Sequence, residues 1–171
     1  DHRDLHSFPY TTLFRSHVIL CKAKIMSKSA VGKVLKLFTS KSGTSQRFEQ
    51  KRLSLDNFGV LDDKFYNKNT ERSVLVSSID SYKLIQTYGI DMPFGYLGEN
   101  ILMDFNPYNL DMGSRIQIGT TIIEISQYCT ICNHLAVLDV KIPTLLKDDR
   151  GIFAKVKEAG EITLNDSVYI I

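Results

Sequence analysis

From position 31 onward the chain runs in short stretches of alternating apolar and polar side chains, separated by residues that favour turns. VGKVLKLFT at 31–39 alternates with the period of a half-buried strand. A polar loop with one glycine follows at 40–45, and 47–55 reads as strand or extended chain. GVLDDKFYNKNTER at 59–72 is dense in Asp, Asn and Lys and predicts a long loop, ahead of a short β-branched strand at 74–76. SIDSYKLIQTY at 78–88 fits a helix, with Ser78 as N-cap, Ile79, Tyr82, Ile85 and Gln86 on one face, and Gly89 past its end. A glycine-rich turn at 92–100 leads into an apolar triplet at 101–103.

Segments 115–118 and 121–126, joined at Gly119, predict a β-hairpin. Segment 152–157 fits helix or strand, and 161–171 reads as strand, a turn at Asn165 and Asp166, and strand. Many short strands with turns and one or two helices predict a β-rich α+β fold built on a barrel. No internal repeat or linker divides 31–171, so this span is expected to be a single domain.

Residues 1–16 (DHRDLHSFPYTTLFRS) differ from the rest, with neither helical nor strand periodicity. They resemble translated sequencing adapter and are set aside as a non-native segment. The natural start is then expected at Met26, and 17–30 is an extension ahead of the domain. The apolar run HVILC at 17–21 is shorter than the core of a signal peptide and is followed by Lys22 and Lys24 instead of a cleavage site.

Composition narrows the classes further. The 171 residues carry a net charge of +2, with 43% hydrophobic and 23% charged side chains. These values suit a globular domain large enough to bury a core. No apolar run is long enough to span a bilayer, so no membrane partner is expected. The mild basic stretch at 22–41 lacks the aromatic interleaving of a nucleic-acid binder and reads as a solvated face. Three cysteines, Cys21, Cys129 and Cys132, are an odd count too small for a disulfide scaffold, which predicts a reducing, cytoplasmic setting.

The sharpest chemical feature is SQYCTICNH at 126–134, directly after a predicted strand. A closed zinc site needs four ligands, whereas only Cys129, Cys132 and His134 lie together. A thioredoxin-like dithiol needs a helix N-terminus in a βαβ setting, which is missing, although a disulfide between the two cysteines is feasible. A single thiolate that binds a soft metal or carries sulfur suits a cysteine just after a strand. Two buried, inert cysteines suit it equally well.

The order GENI, IG, EISQ, a cysteine, RGIFAKV, G and a terminal strand resembles the MOSC family, domains related to the C-terminal part of molybdenum cofactor sulfurase. The resemblance covers 31–171. Gly98, Glu99 and Asn100 match the family triplet; Ser126 and Gln127 match the residues that open the cysteine loop; Cys132 falls at the family cysteine; and GIFAKV with Gly160 is similar to the closing segment. The resemblance implies a MOSC-type β-barrel with a few short helices. It also implies that Cys132 binds molybdenum of a molybdopterin cofactor or holds a persulfide. Cys129 is a candidate redox partner for it, through the disulfide that the CxxC spacing allows. Arg72, Gly98, Asn100 and Asp63 would line the cofactor, with Glu99 either structural or part of that lining.

Two departures stand out. The Gly-Asp-x-His-x-Gly loop of the family is replaced by Leu61, Asp62, Asp63, Lys64, Phe65 and Tyr66, so Phe65 stands in place of a histidine that titrates near neutrality. Ile131 replaces the proline that commonly precedes the family cysteine. Three functions follow from the resemblance. The first is a molybdenum-dependent reductase of N-hydroxylated compounds, fed by a separate flavin or iron–sulfur protein, since the chain has no GxGxxG and too few cysteines for a cluster. The second is a non-catalytic carrier of sulfur or molybdopterin, served by a cysteine desulfurase. The third is a domain whose cysteines only pack. Pyridoxal-phosphate binding belongs to the desulfurase domain fused to some relatives.

Overall fold

The computed structural model describes residues 29–130 and 133–171. The readings for 1–16, the start at Met26, Cys21 and the family cysteine Cys132 lie outside the described residues. The elements in chain order are β1 (Gly32–Ser40), β2 (Arg47–Gln50), β3 (Arg52–Asp56), β4 (Gly59–Val60), β5 (Val74–Ser78), α1 (Ile79–Thr87), β6 (Ile101–Met103), β7 (Arg115–Ile118), β8 (Thr121–Tyr128), α2 (Ile142–Leu145), β9 (Ile152–Glu158), β10 (Gly160–Thr163) and β11 (Ser167–Ile170). Two short 3-10 turns stand at Thr70–Arg72 and Asn133–Val137.

Seven strands close a barrel in the order β1, β11, β7, β8, β9, β5, β6 and back to β1, and β2 extends the sheet beyond β1. Every pairing in the barrel is antiparallel except β5 with β6, which run parallel because α1 carries the chain between them. A second sheet of β10, β3 and β4 covers part of the barrel. Closure leaves the seven strands with no free edge inside the ring.

The predicted alternation is realised most cleanly in β8 and β9. Ile123, Ile125, Ile152, Ala154 and Val156 face the interior, where they pack with Val34, Val76, Ile101, Ile116 and Val168. A second apolar cluster lies outside the barrel, where Leu102 of β6 meets Tyr82 and Ile85 of α1, Ile142 of α2, and Leu97 and Leu135. Strand β5 is buried along its whole length because it lies between the two clusters.

Helix α1 begins as read, with the Ser78 side chain accepting from the Asp80 amide, and Gly89 takes φ +74 just past its end. Its buried face holds Ser81, Tyr82 and Ile85, and Gln86 is exposed. Segment 152–157 is strand, because β8 on one side and β5 on the other claim its backbone. The loop at 59–72 opens with β4 and closes with the first 3-10 turn. The two strands read at 161–171 form but do not pair with each other: β10 joins β3, and β11 joins β1 and β7. Helix α2 was not expected from the sequence. Among the described residues no helix is long and apolar enough to cross a membrane.

Candidate functional site

Strand β8 ends at Tyr128, and the loop bearing the cysteines starts there. The Cys129 amide donates to the Gly151 carbonyl at 3.0 Å, which extends the β8–β9 pairing by one step and fixes where the loop begins. Cys129 is buried, and its thiol contacts the Thr130 carbonyl at 3.7 Å. Arg150, 4% exposed, reaches across: its Nη1 donates to the Thr130 carbonyl and its Nη2 to the Leu97 carbonyl at 3.3 Å. One guanidinium therefore joins the cysteine loop to the segment carrying Gly98, Glu99 and Asn100. Its Nε is buried without an acceptor.

The Gly-Glu-Asn triplet sits between β5 and β1. Gly98 has φ +85, a backbone conformation that favours glycine, while a side chain there would have space. Asn100 is braced on every side: its Oδ1 accepts from the Leu75 amide at 3.1 Å, and its Nδ2 donates to the Phe38 carbonyl at 3.2 Å and to Asp63 Oδ2 at 3.1 Å. Both hydrogens of its amide are thus committed within the protein. Asp63 Oδ2 also accepts from the Ser40 amide, the Ser40 hydroxyl and Arg47 Nη1, while Oδ1 takes the Phe65 amide. The structure brings Asp63, Asn100 and Glu99 together around Arg47.

Arg72 is not part of that group. Its exposed guanidinium lies 4.4 Å from the centre of the Phe153 ring, on the strand pair leading to the cysteine loop. The cation beside Asp63 is Arg47, and the cation on the cysteine loop is Arg150. Neither was singled out from sequence, although Arg150 belongs to the RGIFAKV segment that carried part of the resemblance. Phe65, in the place of the family histidine, is exposed and has Arg47, Lys64 and Lys68 within 6.0 Å of its ring centre. His134 does not stand in for it; its Nε2 meets the Tyr96 carbonyl at 3.1 Å.

Glu99 is fully buried, with Oε1 accepting from the Tyr82 hydroxyl and the Gly95 amide and Oε2 without a partner. Burial pushes its carboxyl above the ordinary value, and bonds from Tyr82 and Gly95 with the Arg47 charge pull it back only partly. Arg47 is itself lowered by burial, against the raising effect of Asp63 and Glu99. The folded protein therefore holds a proton on Glu99 more tightly than the unfolded chain does. The stability linked to this group is present in acid and is lost as pH rises from the ordinary carboxyl range through the folded value. Glu99→Gln keeps the shape and removes the charge. The melting temperature of the variant relative to the unaltered protein should climb as pH is raised from 4 to 8 in thermal scans. A difference that is flat or falls with pH would contradict this.

Two clefts flank these residues. One of about 390 Å³ lies beside Ser40, Lys41, Asp63 and Lys64. The other, of about 370 Å³, is bordered by Tyr128, Cys129, Gly151 and the charged side chains of Lys147, Asp148 and Asp149. Both fall within the size range of small-molecule sites. Among the described residues no cluster of three or more His, Cys, Asp or Glu is placed to hold a metal ion.

Comparison with known families and structures agrees with this architecture. The family model described as MOSC domain matches residues 63–169, more than half of the chain. No curated protein matches. Among solved structures, the YuaD protein from Bacillus subtilis superposes with a TM-score of 0.72 at 15% identity, over 81% of this chain and 94% of that one. YiiM from Geobacillus stearothermophilus gives a TM-score of 0.62 at 13% identity, over 84% of this chain and 74% of that one. YiiM from Escherichia coli gives 0.60 at 17%, over 81% and 69%. At these identities the likeness is one of fold.

Proposed function

The chain belongs to the MOSC domain family, and from that premise we propose that it holds the molybdenum cofactor through the thiolate of Cys132 and reduces N-hydroxylated compounds. The observation that carries this reading is the buried Arg150, which ties the cysteine loop to the Gly98 segment with one donor still unmet, next to a cleft of about 370 Å³. These features fit the cofactor. Cys132 would supply one soft thiolate donor of the kind molybdenum accepts, and the Arg150 guanidinium suits an anionic group. When bound, the cofactor would supply two-electron redox chemistry. Cys132 would be the protein ligand to the metal; Arg150 and the backbone of the loop would orient it. Asp63, Glu99 and Asn100 act behind the site, as braces for the segment that faces the loop. Reduction of an N–OH group to N–H takes up two electrons and two protons and releases water. The electrons would come from a separate flavin or iron–sulfur protein.

A second reading is favoured by one specific observation. Phe65 occupies the position of the family histidine, among cations and without a proton to transfer. That supports a carrier which accepts sulfur from a cysteine desulfurase, or molybdopterin, on the same cysteine without turnover.

Molybdenum content measured by elemental mass spectrometry, after expression in a host that makes the cofactor, tests the first reading. We expect near-stoichiometric metal in the unaltered protein and in Cys129→Ser, and background levels in Cys132→Ser. Metal at background in all three would sink it. In metal-loaded protein, reduction of a hydroxylamine or amidoxime by reduced viologen separates the reductase from the carrier.

A further inference from the structure

We infer that the face around Phe65 and Phe94 is the docking surface for an acidic protein, and that this protein is the electron donor. The donor's role rests on the reductase reading above; the surface itself does not. Phe65 and Phe94 are 45% and 47% exposed, large rings left in water on two separate loops. Arg47 lies beside both. Its guanidinium is 5.8 Å from the Phe65 ring centre, and an added Cβ on Gly95, the residue after Phe94, would lie 3.2 Å from Arg47 Cβ. Exposed rings grouped with an arginine have the makeup of an interface core, where aromatic residues and arginine are enriched.

The rim of this face is cationic. Lys64 and Lys68 lie 5.1 and 6.0 Å from the Phe65 ring centre, and Lys41 lies 5.2 Å from that of Phe48. Lys41 and Lys64 also border the cleft of about 390 Å³, which has room for a partner's side chain. Among the described residues no carboxylate pairs with any of these three lysines. The neighbouring acids are already engaged: Asp63 by Arg47, Ser40 and Asn100, Asp56 by the Tyr66 hydroxyl, and Glu49 by Lys36. Asp62 is the one exposed acid left in the 61–68 loop. Positive charge is thus in local excess, in a chain whose net charge is only +2. Such a patch attracts an acidic surface and speeds its encounter.

The loop presents these side chains in a fixed shape. The Lys64 amide donates to the Ser40 carbonyl, the Phe65 amide to Asp63 Oδ1 and the Asn67 amide to the Phe58 carbonyl. A surface set before contact loses little conformational freedom on docking. A second copy of this chain fits poorly, because a two-fold contact would set the lysine rims against each other. The face also adjoins the segment that the reductase reading sets against the cofactor. Arg47 Nη2 would lie 3.7 Å from a Cβ on Gly98, and Arg47 shares Asp63 with Asn100.

The test titrates isotope-labelled full-length protein with an oxidised acidic flavodoxin and, separately, with an acidic ferredoxin, following the amide resonances. It needs no metal. With one donor or both, shifts should centre on 41–48, 64–68 and the amides flanking Phe94. Kd should weaken about tenfold in the double variant Lys41→Glu with Lys68→Glu. It should also weaken about tenfold in Phe65→Ser. Added salt should shrink the deficit of the charge variant and leave that of Phe65→Ser in place. The substituted side chains are exposed, thermal unfolding checks each fold, and the two variants test the face independently. Shifts centred elsewhere, no shifts with either donor, or the same shifts on concentrating the protein alone would overturn the inference. The two readings fail separately. Docking without viologen-driven reduction of a hydroxylamine in metal-loaded protein would remove the reductase and leave the acidic-partner surface. Viologen-driven reduction without docking would remove the surface and leave the reductase.

Discussion

Asp63→Ala should destabilise the fold by about 3–5 kcal/mol, measured by urea unfolding, the largest single-residue loss expected outside the apolar core. The reason is the number of groups that converge on one carboxylate. Its Oδ2 takes Ser40 through amide and hydroxyl, Arg47 at 3.1 Å and Asn100 at 3.1 Å, and its Oδ1 takes the Phe65 amide at 2.9 Å. The side chains of Arg47 and Asp63 are 9% and 3% exposed, so this is a buried pair and not a surface one. Replacing the pair with apolar residues could be neutral, but truncating one partner leaves an uncompensated buried charge and unmet donors from three segments. Asp63→Asn gives the control. It keeps one acceptor and loses the charge, and its NH₂ then confronts a donor, so it should fall between the unaltered protein and Asp63→Ala. A loss below about 1 kcal/mol for Asp63→Ala would show that the network is not a brace.

That network also explains what sequence could and could not reveal. The Asp63 position was legible because it could be matched to a family loop, yet its role was not, since its partners sit at Ser40, Arg47 and Asn100 and meet only when the barrel closes. Arg47 opens a predicted strand, where nothing local distinguishes it from a solvent-facing cation. Arg150 was in view within a quoted motif, but the direction of its side chain depends on the register between β8 and β9. Arg72 drew notice for its place after the loop, and the short turn at Thr70–Arg72 sends it to Phe153.

The local signals fared differently. Helix α1 carried its own cap at Ser78, and the hairpin of β7 and β8 carried its glycine, so each could be read from a few consecutive residues. Helix α2 is four residues long, with a proline near its start and no side-chain cap, so its signal is too short to separate from a loop. Segment 152–157 was ambiguous for a related reason: six residues alternate without saying whether they lie between two strands.

The motif glycines at the end of the chain illustrate the same distinction, and Gly160 offers the second large effect. Gly160→Ala should cost about 3 kcal/mol, because overpacking against backbone cannot be relieved by rotating a side chain. An added Cβ would lie 2.5 Å from Thr120 Oγ1, 2.7 Å from the Thr120 carbonyl oxygen and 2.8 Å from its carbon. The β7–β8 turn is held at that spot in both directions: the Thr120 amide donates to the Glu161 carbonyl at 3.1 Å, and the Glu161 amide donates to Thr120 Oγ1 at 2.9 Å. A methyl group must push the turn away from β10 and break this exchange. Gly43 is the reference, since it has φ +83 with nothing within 4 Å, so Gly43→Ala pays only for its backbone conformation, about 1–2 kcal/mol. Unfolding free energies in which Gly160→Ala loses no more than Gly43→Ala would refute the steric account. The turn lies at the start of β8, and the cysteine loop leaves from its other end. A pure stability defect at Gly160 should therefore leave the molybdenum content of the folded protein unchanged, which separates what keeps the barrel closed from what the cysteine loop holds.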